Sequence, residues 1–475
     1  MPQKPTSDFG LIGLGVMGAN LARNVESRGF SVSVYNRSFN KTEQFLLNFE
    51  GNFTGFGDLK TFVQSLRRPR RIMIMVQAGQ PVDAVIKALL PHIQKGDVIV
   101  DGGNSYYGDT KRREAALLKK GILYMGCGVS GGEDGALYGP SLMPGGSMQA
   151  WRVMKPILTK IAAKDFSEGP CVTHVGSGAA GHYVKMVHNG IEYAVMQFMA
   201  ESYEILRKVY KLSPPEIADI FQKYNRGKLQ SYLLEIALPV LRQKDELDKN
   251  SCCLVYHILD TASQKGTGKW ASLDALERGV STPTINEAVF ARFLSSEKNL
   301  RVALSKKYTP AKRGKVITLG QFTKQLENAL YAAMFSSYAQ GYHLICKAAK
   351  EEGWKIDMKE ISRIWEGGCI IRAKLLSVLG DAYSETRRHD EHLFALPKIQ
   401  ALMKKNVKDL RSAVASMSQS GVALPGFSSA LYYFEYSTAE HMPANFIQGL
   451  RDYFGAHTYQ RDDRAGTYHT DWDEG

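Results

Sequence analysis

A short apolar run, Asp8-Phe-Gly-Leu-Ile12, leads into Gly13-Leu-Gly15-Val-Met-Gly18, and Ala19-Asn-Leu-Ala-Arg-Asn-Val25 follows at helical spacing. No other stretch restricts the fold of this chain as much. In such a turn the first glycine makes the bend, the second lets a pyrophosphate approach the backbone, and the third packs helix against strand. The helix N-terminus then offers free N–H groups and the positive end of its dipole to phosphate. A second β-rich run, Ser31-Val-Ser-Val-Tyr35, comes at the distance a βαβ unit requires. The expectation is a Rossmann-type α/β domain that binds a dinucleotide through Gly13, Leu14, Gly15, Val16, Met17 and Gly18.

The end of the second strand selects the dinucleotide. An acidic residue there would hold the ribose 2′-hydroxyl of NAD and repel a 2′-phosphate. This chain has Asn36-Arg37-Ser38 instead, a cation flanked by two small polar donors, which suits NADP. Further strands are expected at 71–76, 97–101 and 122–125, with helical stretches at 81–90 and 110–120 between them. Polar loops then follow the last two strands, Asp101-Gly-Gly-Asn104-Ser and Gly128-Val-Ser130-Gly131-Gly132. Ligands of open parallel sheets bind at the carboxyl ends of strands, so Asn104 and Ser130 should face cofactor and substrate. Turn chemistry alone is the plainer account of these residues.

Beyond residue 178 the strand signal fades and apolar residues recur at helical spacing nearly to residue 440. The fold class expected is therefore an α/β Rossmann-type N-terminal domain followed by a large all-α domain with an internal repeat and a C-terminal tail. The boundaries fall at 1–178, 179–439 and 440–475. The repeat aligns Asn189…Tyr203 with Asn328…Tyr342, and Glu216-Ile…Phe221 with Glu360-Ile…Trp365. On a helix starting near His182, Lys185, His188, Asn189 and Glu192 share one face. Lys185 and Glu192 would stand roughly 10 Å apart along the axis, a span suited to a small substrate. The second copy has Lys324, Glu327 and Tyr331 opposite Lys185, His188 and Glu192, so the His/Glu combination belongs to the first copy alone. Gln264-Lys265-Gly-Thr267-Gly-Lys269 departs from a Walker loop yet can hold a phosphate through Lys265, Thr267 and backbone amides. Arg292, alone on an apolar helical stretch, is either a phosphate ligand or a snorkelling surface arginine. The aromatic tail has too little apolar area to fold alone and should dock on something large.

Several function classes are set aside. No apolar run approaches the roughly 20 residues that span a bilayer. The first residues lack the apolar core of a secretory signal, and a cytoplasmic enzyme is expected. Cys127, Cys171, Cys252, Cys253, Cys346 and Cys369 show no CxxC or Cys/His metal spacing and read as reduced thiols, with no metal site. A net charge of +13 favours anionic partners, but the cations are dispersed and no nucleic-acid motif accompanies them. Small phosphorylated ligands explain the balance equally well.

Taken together, Gly13–Gly18, Asp101-Gly-Gly-Asn-Ser105, Gly128-Val-Ser-Gly-Gly132, Lys185-Met-Val-His-Asn-Gly-Ile-Glu192, Gln264-Lys-Gly-Thr-Gly-Lys-Trp270 and Arg451-Asp-Tyr-Phe-Gly-Ala-His457 resemble the 6-phosphogluconate dehydrogenase family. The likeness runs from about residue 8 to residue 460. It implies NADP-dependent oxidative decarboxylation of 6-phosphogluconate to ribulose 5-phosphate, a step of the pentose phosphate pathway, in a homodimer whose tails reach into the partner. By the same resemblance Lys185 is the general base and Glu192 the general acid. Asn104, Ser130, Gly131, Gly132, His188 and Asn189 would hold the sugar acid. Tyr193, Lys265, Thr267 and Arg292 would hold its phosphate, joined by Arg451 and His457 of the other subunit. Val76, Gln77, Ala78 and Asn104 would touch the cofactor, with Gln77 where the family usually has lysine. For Lys185 to act as a base its pKa must fall from about 10.4 toward 7–8, a cost of roughly 4 kcal/mol that burial beside other cations would supply. The rival readings are a dehydrogenase of a small β-hydroxy acid, a non-catalytic NADP sensor and a basic RNA-binding scaffold.

Overall fold

The computed structural model describes residues 6–248, 251–309, 311, 314, 316–386, 388 and 390–472, so the extreme termini considered for targeting lie outside the described residues. The first part alternates strands and helices: β1 (Phe9–Ile12), α1 (Val16–Ser27), β2 (Val32–Tyr35), α2 (Phe39–Asn48), β3 (Phe53–Phe56), α3 (Leu59–Gln64) and β4 (Arg71–Ile74). It continues with α4 (Gln80–Leu89), β5 (Val98–Asp101), α5 (Tyr107–Leu118), β6 (Leu123–Ser130), α6 (Gly132–Tyr138), β7 (Ser141–Pro144) and α7 (Met148–Ile161). The strands form one sheet in the order β3-β2-β1-β4-β5-β6-β7. Pairing is parallel from β3 to β6, with Gly10 of β1 opposite both Ser33 of β2 and Ile72 of β4. The order in which successive strands are added reverses between β1 and β4, which opens the crevice where open α/β sheets take their ligands. Apolar clusters cover both sheet faces, one holding Leu11, Val34 and Val100, the other Ile12, Ile74 and Ile99.

Three features differ from the sequence expectation. The half-exposed edge strand β3 was not foreseen, because Thr54 and Gly55 blunt its apolar pattern. Nor was β7, which runs antiparallel to β6 and ends in Pro144 at the sheet edge. The expected loop Gly128-Val-Ser130 is instead the end of β6, which is eight residues long and buried throughout. Glycine within a strand marks close approach by another backbone, and here that backbone is the long helix α8 (Ala180–Lys208).

Helices follow: α9 (Pro214–Asn225), α10 (Tyr232–Arg242), a 3-10 turn at Leu254–Tyr256, α11 (Thr267–Glu277), α12 (Pro283–Ser296), α13 (Lys298–Ser305), α14 (Leu319–Glu352), α15 (Met358–Ile364), α16 (Lys374–Ser384), α17 (Pro397–Gln419), α18 (Pro425–Ser437) and α19 (Ala444–Gly455). The internal repeat is visible as two runs of one long helix followed by two shorter ones, α8-α9-α10 and α14-α15-α16. Its halves meet where α10 and α16 begin. Ser231 bridges Ala373, Tyr232 N–H donates to Arg372 C=O at 3.0 Å, and Lys374 N–H donates to Gln230 C=O at 2.9 Å. At Asn328, the echo of Asn189, α14 is closed by hydrogen bonds. Lys228 Nζ donates to Asn328 Oδ1 and, at 2.9 Å, to Asn406 Oδ1, while Asn328 Nδ2 donates to Asp409 Oδ2 at 2.6 Å. One continuous core runs from Tyr183 and Val187 of α8 through Phe335 and Tyr338 of α14 to Leu410 of α17.

Candidate active site

Helix α8 lies directly on the backbone of β6. A Cβ added to Gly181 would stand 2.2 Å from Gly126 O, and one added to Gly128 would stand 2.5 Å from Lys185 Cβ. The helix is also locked at its start by His182, whose Nδ1 meets Thr110 Oγ1 at 2.6 Å and whose Nε2 meets Asp101 O at 3.0 Å. This glycine seam carries Lys185 to the carboxyl end of β6. Lys185 is 5 % exposed, and burial lowers its pKa against the opposing pull of Glu192 and Cys369. The depression comes from desolvation, where cationic neighbours had been expected to contribute. Farther along the helix Met196 is 40 % exposed.

The other residues of that face do come together. His188 is fully buried, with Nδ1 3.0 Å from Asn189 Oδ1 and 3.4 Å from Lys185 Nζ, and Nε2 3.4 Å from Ser130 Oγ. Asn189 Nδ2 donates to Thr267 Oγ1 at 3.0 Å, which turns its carbonyl oxygen toward the imidazole. A neutral ring with its proton on Nδ1 satisfies this chain: Nδ1–H faces the amide oxygen and the Lys185 lone pair, while Nε2 accepts from Ser130. Burial and the neighbouring Lys185 push the His188 pKa well down, which agrees with a neutral ring. Glu192 closes the face, its side chain 18 % exposed and 3.8 Å from His188 Nδ1. Burial raises its carboxyl, opposed by Lys185 and Arg292. Burial thus shifts the amine toward its neutral form and the carboxyl toward its protonated form, the directions a base and an acid need.

Around this face the expected phosphate residues divide. Arg292 lies 3.5 Å above the Tyr193 ring and donates to Ser263 O at 3.2 Å, so it is anchored more firmly than a snorkelling side chain. Thr267 is buried at the first turn of α11, behind Gly266 in the left-handed region (φ 99°), and Lys265 is exposed beside it. Gly268 has Tyr193 where its Cβ would go. Gly131 (φ +121°) and Gly132 start α6, and Gly368 O sits 2.6 Å from the Cβ that Gly131 lacks. Asn104 is exposed on a loop fixed by Asp101, which accepts from Ser105 Oγ at 2.7 Å, Tyr124 OH at 3.0 Å and Arg113 Nη1 at 3.3 Å. Sequence reasoning missed these supports. It also missed Asp274 of α11, which accepts from Tyr107 OH at 2.6 Å, from Tyr183 OH, and from Arg278 Nε at 2.9 Å. Their signal was weak, since a buried carboxylate on a helix reads as an exposed one until its partners are known.

At the β1–β4 crevice a cavity of about 680 Å³ is lined by Gly13, Asn36, Arg37, Ser38, Lys41, Val76, Gln77 and Gln80, among others. Gly13 (φ +102°) faces Met75 O, and Gly18 faces Gly13 O only 1.9 Å from its missing Cβ, while Gly15 is open above. The start of α1 has no side-chain cap, so its N–H groups are available to an anion. Arg37 and Ser38 are exposed at the rim. Asn36 has a structural task as well, accepting from Leu14 N–H at 3.1 Å. Lys41, unremarked in the sequence, brings a second cation four residues beyond Arg37. Ala78 is not among the lining residues. These features fit a dinucleotide with an extra phosphate.

Arg451 and His457 stay within the tail of their own chain. Arg451 Nη1 donates to Gln448 Oε1 at 2.9 Å, and the His457 ring lies 5.8 Å from that of Phe454. The tail folds around the buried Asp452, which accepts from Thr458 N–H at 2.9 Å, Thr470 N–H at 3.0 Å and Trp472 Nε1 at 3.0 Å.

Comparison with known proteins agrees with this geometry. Residues 8–176 match the NAD binding domain of 6-phosphogluconate dehydrogenase, and residues 181–472 match the 6-phosphogluconate dehydrogenase C-terminal domain. The NADP(+)-dependent, decarboxylating 6-phosphogluconate dehydrogenase of Bacillus subtilis is 48% identical over 98% of both chains. The decarboxylating enzyme of Lactococcus lactis is 46% identical over 98% of both. The Plasmodium falciparum 6-phosphogluconate dehydrogenase, solved in its apo form, with its cofactor NADP+ and with its substrate 6-phosphogluconate, superposes with a TM-score of 0.94 at 41% identity, covering 98% of this chain and 100% of that one. Matched by both family models along nearly its whole length, the chain belongs to the 6-phosphogluconate dehydrogenase family of oxidoreductases.

Proposed function

We propose that the chain catalyses NADP-dependent oxidative decarboxylation of 6-phospho-D-gluconate to D-ribulose 5-phosphate and carbon dioxide. The observation that carries this reading is the buried Lys185, its pKa lowered by desolvation, on one helix face with His188, Asn189 and Glu192. NADP, when bound, supplies the hydride acceptor. Lys185 removes the proton of the 3-hydroxyl as hydride leaves carbon 3. Once protonated, it donates to the 3-keto oxygen while the bond to the carboxylate breaks and carbon dioxide departs. Glu192 then protonates the carbon that carried the carboxylate while Lys185 takes back the enol proton, completing the ketose. Because the ammonium polarises the ketone, these steps need no metal. Asn104, Ser130, Gly131, Gly132, His188 and Asn189 hold the sugar acid. Tyr193, Lys265, Thr267 and Arg292 hold the phosphate, and the anchored Arg292 over Tyr193 supports that assignment.

The reading extends to a homodimer, with Arg451 and His457 reaching the partner's phosphate site. In its support, Phe446, Ile447, Tyr453 and Phe454 of the tail are 59–70 % exposed on a single chain. Apolar surface on this scale marks an interface. Labour divides as 1–178 for the cofactor, 179–439 for substrate and dimer contacts, and 440–475 for the exchanged tail. The proposed location is cytoplasmic. Among the described residues no helix is long and apolar enough to cross a membrane, and all six cysteines are unpaired. The test is joint measurement of NADPH absorbance and carbon dioxide release with 6-phosphogluconate, with NAD as control cofactor. Turnover of a small β-hydroxy acid in preference to the sugar acid would overturn the reading.

A further inference from the structure

Cys252 and Cys253 take no part in the site described above. They precede the 3-10 turn Leu254–Tyr256, with Cys252 exposed and Cys253 fully buried. Their sulfurs are 3.0 Å apart, within about 1 Å of a disulfide bond length. The neighbouring backbone is held: Leu254 N–H donates to Gln243 C=O at 2.8 Å, and Ser251 Oγ donates to Cys253 C=O at 3.2 Å. Burial and the adjacent thiol push Cys253 up to about 11, so it rests as a thiol. An exposed thiol that attacks and a buried neighbour that resolves make a two-thiol redox site.

We propose that Cys252 and Cys253 form a peroxide-sensitive dithiol, which closes to a vicinal disulfide and resets the segment leading to Lys265 and Thr267. Cys252 thiolate attacks one peroxide oxygen; the S–O bond forms, the O–O bond breaks, and hydroxide leaves as water. The Cys253 sulfur then attacks the sulfenic sulfur; the S–S bond forms, the S–O bond breaks, and a second water leaves. Two thiols lose two protons and two electrons, and one peroxide becomes two waters. A disulfide open to solvent at Cys252 is of the readily reduced kind.

The segment from Cys253 to Thr267 is irregular for most of its length and fastened at few points. Asp260 pairs with Arg301 at 2.9 Å, Ala262 N–H donates to Ser295 Oγ at 2.9 Å, and Ser263 O accepts from Arg292 at 3.2 Å. Closing the ring turns Cys252 inward at the root of this segment, and the last fastening is on a residue assigned to the phosphate. The kinetic consequence rests on that assignment; the thiol chemistry does not.

The test treats the full-length enzyme with hydrogen peroxide, then maps peptides by mass and measures kinetics. The expected result is loss of two hydrogens confined to the Cys252–Cys253 peptide, reversed by dithiothreitol, with KM for 6-phosphogluconate raised several-fold and NADP affinity unchanged. Cys252→Ser should keep the kinetics of the reduced enzyme and lose the response. Oxidation elsewhere with these two thiols intact, or an equal response in Cys252→Ser, overturns the proposal. A vicinal disulfide without a change in KM overturns the coupling. In that case Lys265→Ala separates the causes, because an unchanged KM there would refute the phosphate assignment instead.

Discussion

Replacing Gly128 by alanine introduces a methyl group into the seam between β6 and α8. The added Cβ lies 2.5 Å from Lys185 Cβ, 3.0 Å from Lys185 Cγ and 3.2 Å from Gly181 O, whereas ordinary contact begins near 3.4 Å. The obstructing atoms are the root of a buried side chain and a main-chain oxygen, so rotation of a flexible end gives no relief. Helix and strand must separate by close to 1 Å. Overpacking of this kind costs about 1–3 kcal/mol of stability. A catalytic group misplaced by about 1 Å loses on the order of 100-fold in rate, equivalent to about 2.7 kcal/mol of barrier. The β1–β4 crevice is untouched, so NADP affinity should hold. Measuring kcat by NADPH absorbance, NADP Kd by titration and Tm by calorimetry separates the three effects. A folded Gly128→Ala enzyme with unaltered kcat would refute the claim that the glycine seam positions Lys185.

Four further outcomes are expected. Lys185→Met should abolish turnover with NADP still bound, and near-normal activity would remove Lys185 as the base. Burial lowers Lys185 and raises Glu192, so kcat should rise with pH as the amine becomes neutral and fall as the acid loses its proton. Glu192→Gln should erase the alkaline fall, and a retained limb would assign it to another group. Arg37→Glu should weaken NADP far more than NAD, and equal losses in the two dissociation constants would exclude Arg37 from the 2′-phosphate. Glu201, 3 % exposed, accepts from Gly426 N–H at 2.6 Å and Phe427 N–H at 3.0 Å at the start of α18, yet burial raises its carboxyl to about 7. A carboxyl raised on folding adds stability below its unfolded value of 4.5 and loses it as pH rises through about 7. That contribution is roughly 3 kcal/mol at most. Glu201→Gln should therefore flatten the decline of Tm between these values, and parallel curves for the two proteins would count against it.

Much of the architecture was legible because it depends on local rules. Glycine spacing at Gly13–Gly18 follows from a backbone that cannot accept a Cβ, and the face shared by Lys185, His188, Asn189 and Glu192 follows from helical geometry. The strands that escaped notice, β3 and β7, lie at the sheet edges, where burial imposes little pattern. Gly128 was misread as a loop residue because low strand propensity looks the same whether a chain turns or another backbone presses on it. Supports such as Asp274 with Tyr107 and Tyr183 join residues far apart in sequence. Only the fold brings them together. The source of the Lys185 shift was hidden for the same reason, since desolvation depends on everything that packs around the amine.

The repeat leaves the two long helices with unequal burdens. The α14 position that answers to Lys185 is Lys324, which is exposed. Beside Asn328 the cation comes instead from Lys228, between α9 and α10, whose ammonium donates to the amide oxygens of Asn328 and Asn406. On α8, Lys185 Nζ meets the edge of an imidazole 3.4 Å away. The Lys228 cluster ties the two halves together, so damage to it registers as unfolding. Lys185 can lose its reactivity and leave the fold standing.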